Sequence, residues 1–309
     1  MIQCGTMKFT KMHGAGNDYV LVDARHDEAD WSSLANSLCD RHYGVGADGL
    51  LLVAPSLIAD IRMRMFNPDG SEAQMCGNGL RCFSKYVLER GAVDIRNDKL
   101  RVETSAGVLS VEPLSENGYI NRARVEMGEP RFHAHEIPFV LADEKSGLFV
   151  EPAQLNISDV LRDDLDVDQL VVNYPLEIDR HSFKTTCVSM GNPHAVAFFM
   201  ESVDDVPLHL LGPLVEHHPL FPERVNFQIV NVDDRGHMKA RTWERGAGLT
   251  LACGTGACAI HSVAHLLGMV NDTTQVQMPG GTLTLTWPGS GQVIMEGPVE
   301  EVFEGEWTV

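Results

Sequence analysis

The chain has 309 residues, 44% hydrophobic and 22% charged, the balance of a globular protein with room for one large domain or two of ordinary size. With 24 basic against 43 acidic residues its formal charge is −19, which argues against nucleic acid or an anionic membrane surface as a partner, since both reward a basic face. No apolar run approaches the roughly 18 residues of a membrane span, and the opening MIQCGTMKFTKMHG lacks the apolar core of a signal peptide, so a cytoplasmic protein is expected. Met7 is an alternative start for translation. Seven cysteines without a paired CxxC framework point to reduced thiols rather than a disulfide scaffold, and no metal site is expected, because Cys76 and Cys82 match no zinc-ligand spacing.

In chain order, Trp31, Leu34, Ala35 and Leu38 share one helical face, with Gly44 beyond as a stop. DIRMRMF alternates Ile61, Met63 and Met65 with Arg62 and Arg64, the period of a half-buried strand. Leu80, Phe83, Val87 and Leu88 predict a second helix, ended by Gly91. KLRVETSAGVLSVEPL predicts a hairpin around Ala106-Gly107, and VNFQIVNVDDRGHMKARTW another around Asp234-Arg235-Gly236. Ile260, Val263, Ala264 and Leu267 predict a third helix before Gly268, and QMPGGTLTLTW and GQVIMEGPVEEVFEGEW read as further strands. The pattern is α+β with many antiparallel strands.

Landmarks recur. KMHGAGNDYVLV is echoed by SMGNPHAVAFF, each an apolar strand, a Gly-Asn turn and another apolar strand. Asn17 precedes Cys76, and Asn192 precedes Cys253, by nearly equal spacings. Two domains of one ancestry are therefore expected, with Glu151 to Tyr174, rich in Asp, as an insertion or elaborated loop in the second.

The repeat contains its own chemistry. AQMCGNGLRC and LACGTGAC both place Cys-Gly-x-Gly at the entry to a predicted helix. A helix that opens with glycines exposes backbone N–H groups and the positive end of its dipole, where a carboxylate can sit and a thiolate is favoured. Two such seats suit inversion at a carbon bearing a weakly acidic hydrogen, one thiolate removing a proton while the other thiol delivers one. No pyridoxal signature is present, so the chemistry is read as cofactor-free. Cys4, Cys39, Cys82, Cys187 and Cys258 are read as small buried hydrophobes.

The stretches KMHGAGNDYVLVD, DRHYGVGADGLL, FNPDGSEAQMCGNGLRC, SMGNPHAV, FPERVNF, ERGAGLTLACGTGACA and MPGGTLTLTW resemble the diaminopimelate epimerase family over nearly the whole chain. The resemblance implies two similar domains, each a curled, mostly antiparallel sheet around a central helix, with the active site between them. The boundaries expected are 1–127, joined by a C-terminal strand at about 299–309, and 128–298. It also implies interconversion of LL- and meso-2,6-diaminopimelate on the path to lysine and peptidoglycan precursors, without cofactor or metal, with Cys76 and Cys253 as the two bases. The substrate-binding positions carried over are Asn17, Asn67, Gly77, Asn78, Asn192, Asn226, Glu244, Arg245, Gly254 and Thr255. Arg245 and Glu244 are suited to the distal carboxylate and ammonium, together with the amides of Asn67, Asn192 and Asn226. His194 either orients neighbouring groups or is an ordinary buried histidine; the sequence leaves both open. Some family members carry Gln where this chain has Gly49, so no side-chain contact is assigned there. A homodimer is the assembly the resemblance suggests. The rival readings are a proline or hydroxyproline racemase, against which Asn78 and the ERGAG lead-in speak, a non-catalytic carboxylate-binding protein on the same fold, and a redox sensor.

Overall fold

The computed structural model describes residues 5–73, 77–94, 98–141, 147–150, 155–156, 166 and 169–308. The chain divides into two compact units, Met1–Glu126 with Glu296–Val309, and Met127–Met295. No helix among the described residues is long and apolar enough to cross a membrane.

In the first unit, β1 (Thr6–Gly14) and β2 (Asn17–Asp23) pair antiparallel, with Thr10 opposite Leu21 and Gly14 opposite Asn17. Ala15 and Gly16 turn the hairpin with φ of 55° and 80°, the left-handed pair that a two-residue connection requires. The chain crosses through α1 (Trp31–Cys39), capped by the Asp30 carboxylate on the Ser33 N–H, into β3 (Gly49–Ala54), which runs parallel to β2. β4 (Ile61–Phe66) buries Ile61, Met63 and Met65 while Arg62 and Arg64 stay half-exposed, as the alternation predicts. A short β5 (Glu72–Ala73) pairs with β4 before α2 (Gly77–Glu89). Then β6 (Leu100–Thr104) lies parallel to β4, and β7 (Gly107–Glu116) and β8 (Tyr119–Glu126) continue antiparallel.

The second unit repeats this order. After β9 (Tyr174–Ile178), the hairpin of β10 (His181–Ser189) and β11 (Pro193–Phe198) turns through Gly191 at φ 87°. A crossover through α3 (Leu208–Glu216) leads to β12 (Asn226–Asp234), parallel to β11, and then to antiparallel β13 (His237–Glu244) and short β14 (Gly248–Thr250). α4 (Gly254–Leu266) follows, then β15 (Thr273–Met278), parallel to β13, and β16 (Gly281–Thr286). β17 (Ile294–Pro298) spans the boundary between the units, and β18 (Glu300–Thr308) returns to the first, pairing with β1 from Thr6 opposite Thr308 to His13 opposite Glu300.

The third helix of this order escapes the sequence reading for a physical reason. α3 contains Gly212 and Pro213, which normally end a helical pattern. A Cβ at 212 would lie 2.4 Å from the Trp243 ring, so the glycine is where the indole packs on the helix.

α2 and α4 are enclosed: Gly77 through Val87 are buried, and so is α4 apart from half-buried Thr255. Several polar side chains on these helices are bonded inside. Ser84 Oγ donates to the Arg81 carbonyl (2.8 Å), and Lys85 Nζ to the Ile120 carbonyl (2.7 Å) and Glu89 (2.9 Å). His261 Nδ1 shares a hydrogen bond with Thr274 Oγ1 (2.8 Å), and His265 Nε2 with Asp272 (3.1 Å). Cys39, Cys82, Cys187 and Cys258 are buried, as expected of them, while Cys4 lies outside the described residues.

Most of Glu151 to Tyr174 also lies outside the described residues. Its described end is not surface: Leu170, Val171 and Val172 are buried, and Val171 joins a core cluster with Phe139, Leu176, Phe221 and Phe227.

Burial holds the imidazole of His261 near a pKa of about 4 against an ordinary 6.5. The unfolded chain then binds the extra proton first, so the contribution is complete above 6.5 and is lost as pH falls toward 4. His261→Gln should reduce the slope of unfolding free energy against pH in that window by about 1.4 kcal/mol per pH unit, one proton's worth, as read by denaturant titrations.

Candidate active site

The first unit places its expected amides at the mouth of α2. Asn17 begins β2, and its Nδ2 donates to the Asp48 carboxylate. The Tyr19 hydroxyl and Asn78 Nδ2 (3.2 Å) donate to its Oδ1. A carboxylate only accepts, so Asp48 fixes which way the Asn17 amide faces. Asp48 is held in turn by Arg41 (2.7 Å) and the Asp18 N–H (3.1 Å). Burial alone would raise the Asp18 carboxyl, yet hydrogen bonds from Arg41 and Lys11 and the Lys11 charge hold it at about 2. Gly14 lets the hairpin approach the helix: a Cβ there would meet Arg81 Nη2 at 3.1 Å and the Asn78 carbonyl at 3.2 Å.

Gly77 and Asn78 occupy the first turn of α2, where no intrahelical carbonyl reaches the N–H groups. Asn67 follows β4 and is bonded to Ser71, through its own N–H to the carbonyl (2.8 Å) and Nδ2 to Oγ (2.9 Å). At Gly49 a Cβ would stand 3.0 Å from the Phe66 carbonyl and 3.0 Å from Met65 Cε, so a larger residue needs this strand pair to shift. Cys76 lies outside the described residues.

The second unit joins its expected residues into one network. Cys253 is the N-cap of α4, with extended backbone (φ −122°, ψ 114°), and its Sγ accepts from the Gly256 N–H at 3.3 Å. Thr255 Oγ1 lies 3.6 Å from the sulfur and receives Asn192 Nδ2 at 3.4 Å. His194 Nε2 lies 2.9 Å from Asn192 Oδ1, and its Nδ1 lies 3.0 Å from Gln228 Nε2. Asn226 Nδ2 donates to the Pro193 carbonyl (2.8 Å), and its Oδ1 receives the Arg245 N–H (3.0 Å). This ties the turn after β13 to the start of β11. Arg245 Nη1 donates to the Glu223 carbonyl (3.0 Å). Glu216 anchors the same corner, accepting from Trp243 Nε1 (2.7 Å) and the Gly246 N–H (2.9 Å).

Electrostatics distinguish these groups. Burial first, then the nearby Glu244 carboxylate, push the Cys253 thiol well above its ordinary range, against hydrogen bonds from Thr255 and Gly256 that favour the thiolate. Cys253 therefore rests as a thiol. The Glu244 carboxylate thus acts on the sulfur. Burial, with the Arg245 charge adding to it, lowers His194 to about 3 despite the Gln228 bond, so the imidazole is neutral. Among the described residues no cluster of three or more His, Cys, Asp or Glu is arranged to hold a metal ion.

Tyr19, Asp48 and Gln228 carry roles that the motifs alone do not announce. One signal exists: Tyr19 and His194 each stand two residues after the turn asparagine, on its face of the strand, and Gln228 stands two after Asn226.

The sequence pattern of the diaminopimelate epimerase family matches residues 9–133 and 186–302. The chain is 45% identical to the diaminopimelate epimerase of Pelotomaculum thermopropionicum over 304 residues, covering 97% of this chain and 99% of that one. It is 42% identical to that of Methanococcus maripaludis over 302 residues, covering 97% and 99%. Among solved structures, a hydroxyproline epimerase from Agrobacterium vitis aligns with a TM-score of 0.68 at 15% identity, covering 98% of this chain and 93% of that one. A Bacillus anthracis phenazine biosynthesis protein of the PhzF family gives 0.65 at 19% identity, covering 99% and 100%. At those identities the structural likeness concerns the fold.

If the Glu244 charge helps keep the proton on Cys253, Glu244→Gln should lower the thiol's titration midpoint. The alkylation rate of the Cys253 peptide by iodoacetamide, followed by mass spectrometry, should then rise about tenfold at mildly alkaline pH. An unchanged rate would assign the raised thiol to burial alone.

Proposed function

The chain belongs to the diaminopimelate epimerase family, and we propose on that footing that it interconverts LL- and meso-2,6-diaminopimelate by proton transfer between two cysteines, Cys76 and Cys253. The observation that carries this reading is Cys253 at the N-cap of an enclosed helix, with Gly256 N–H and Thr255 Oγ1 at its sulfur. Inversion at a carbon needs one group to take the proton from one face and a second to return a proton to the other, so a protonated and a deprotonated thiol are both required.

In one direction the Cys76 thiolate takes the α-proton and Cys253, resting as a thiol, delivers its own to the carbanion. The Cys253 sulfur is then the anion, and the donors at Thr255 and Gly256 receive that charge. The return reaction exchanges the roles. The carbanion is stabilised through its carboxylate by first-turn N–H groups, at Gly77 and Asn78 on α2 and at Gly254 and Thr255 on α4. Arg245 supplies positive charge that a chain of −19 must provide locally. Asn17, Asn67, Asn192 and Asn226 offer amides to the remaining polar groups of the substrate. Glu244, by holding the proton on Cys253, sets that thiol as the acid. The same reading carries a cytoplasmic enzyme without cofactor, working as a homodimer.

Incubation of LL-diaminopimelate with the reduced enzyme in D₂O should give meso product with deuterium at the α-carbon; neither exchange nor product would end the reading. Cys76→Ala and Cys253→Ala should each lower turnover by at least about a thousandfold, the scale of losing an acid–base group, with circular dichroism unchanged. Sustained epimerisation by either variant would remove that cysteine from the pair.

A further inference from the structure

A hydrogen-bonded line of five side chains ends at the Cys253 sulfur: Gln228, His194, Asn192, Thr255 and Cys253, with spacings of 3.0, 2.9, 3.4 and 3.6 Å. Gln228 and His194 are fully buried. The geometry points to Gln228 as a positioning residue for the reaction, setting the direction of this line so that the Thr255 hydroxyl donates to the Cys253 sulfur. The inference rests on the reading of Cys253 as a proton-transfer group.

A neutral imidazole has one donor and one acceptor nitrogen, so whatever Nδ1 does, Nε2 does the opposite. When Gln228 Nε2 donates to Nδ1, the Nε2–H of His194 must donate to Asn192 Oδ1. The Asn192 amide then directs its Nδ2 at Thr255 Oγ1, and the threonine proton is left for the sulfur. Every bond runs one way, toward the thiolate that forms when Cys253 gives up its proton. The reverse direction needs the other imidazole tautomer and both amides turned over.

Two observations choose between them. In the direction described, the atom of Gln228 left without a partner among the described residues is the carbonyl Oε1, and in the reverse it would be the amide nitrogen. An unpaired buried carbonyl is the commoner condition in folded proteins, and an unpaired N–H the rarer. The first unit supplies the other. There Tyr19 stands at the place of His194, and because Asp48 fixes the Asn17 amide, its hydroxyl donates to Oδ1, the direction that an Nε2–H on His194 would take toward Asn192 Oδ1. Gln228 also has little freedom. A Cβ at Gly256 would stand 3.2 Å from its Nε2 and 3.1 Å from the Cys253 sulfur, so the amide packs against the first turn of α4.

The direction is read by ¹⁵N NMR of histidine-labelled protein, where His194 should be the Nε2–H tautomer throughout neutral pH. An Nδ1–H tautomer overturns the proposal. The consequence at sulfur is read by alkylation of the Cys253 peptide against pH, with Glu244, Arg245 and His194 left in place as the charged and titratable groups acting there. Gln228→Met, of similar volume, should mix the two tautomers and slow alkylation severalfold, toward the roughly tenfold loss expected of Thr255→Val. In the double variant Gln228→Met should add nothing further. Additive losses, or a full rate in Gln228→Met, would refute the line. These readouts need no turnover, so a failure here is separable from a failure of the two-cysteine assignment, which the deuterium and Cys→Ala experiments decide.

Discussion

Enclosing a helix on every side decides where polar chemistry survives in each of these units. The interior of α2 and α4 satisfies its own backbone, but the first-turn N–H groups have no carbonyl within the helix to reach them. They must meet water, a side chain or a ligand. At α4 the Cys253 sulfur takes one of them, from Gly256, where the lack of a Cβ lets the sulfur and the Gln228 amide pack against the first turn. The surrounding strands then serve to bring amides to that mouth, and the crossovers through α1 and α3 deliver the strands that carry or support them.

The repeat is faithful in topology and unequal in chemistry. Both units set an asparagine at a hairpin turn and a hydrogen-bonding partner two residues later at its Oδ1: a tyrosine hydroxyl in the first, a neutral histidine in the second. The first unit pins its amide with a carboxylate embedded among Arg41, Lys11 and Asp18. The second pins its own with an uncharged glutamine. A charged anchor suits a half-site open enough to keep its counter-charges partly solvated, whereas the fully buried pair of His194 and Gln228 tolerates only neutral members.

Much of this is legible in the order of the residues alone. The alternation of Ile61, Met63 and Met65 gives β4 because period-two patterning reports which face is buried, and the Cys-Gly-x-Gly turns mark α2 and α4 because few other contexts need glycine beside a helix start. α3 is not legible in that way, because Gly212 is there for the Trp243 ring and Pro213 interrupts the pattern that local rules read. Asp48 and Gln228 are hidden for a related reason. Their roles depend on partners brought near by the parallel pairings of β2 with β3 and β11 with β12, and such registers are not written in neighbouring residues. The effect of Glu244 on the Cys253 thiol likewise follows from the course of β13 to its end.

The return of β18 to pair with β1 has a consequence for how the chain is made. A ribosome delivers β1 first, yet its antiparallel partner is residues 300–308, by which point the whole of Met127–Met295 has been synthesised. Strands β9 to β16 of the second unit have all been made by then, while the first still waits with one edge of β1 unpaired, Met7 and Phe9 among its residues. An open edge carrying apolar side chains is a template for the wrong partner. In translation, then, the first half of the molecule is the last to be finished, and the interval before its closing strand arrives is when the nascent chain is most exposed to aggregation.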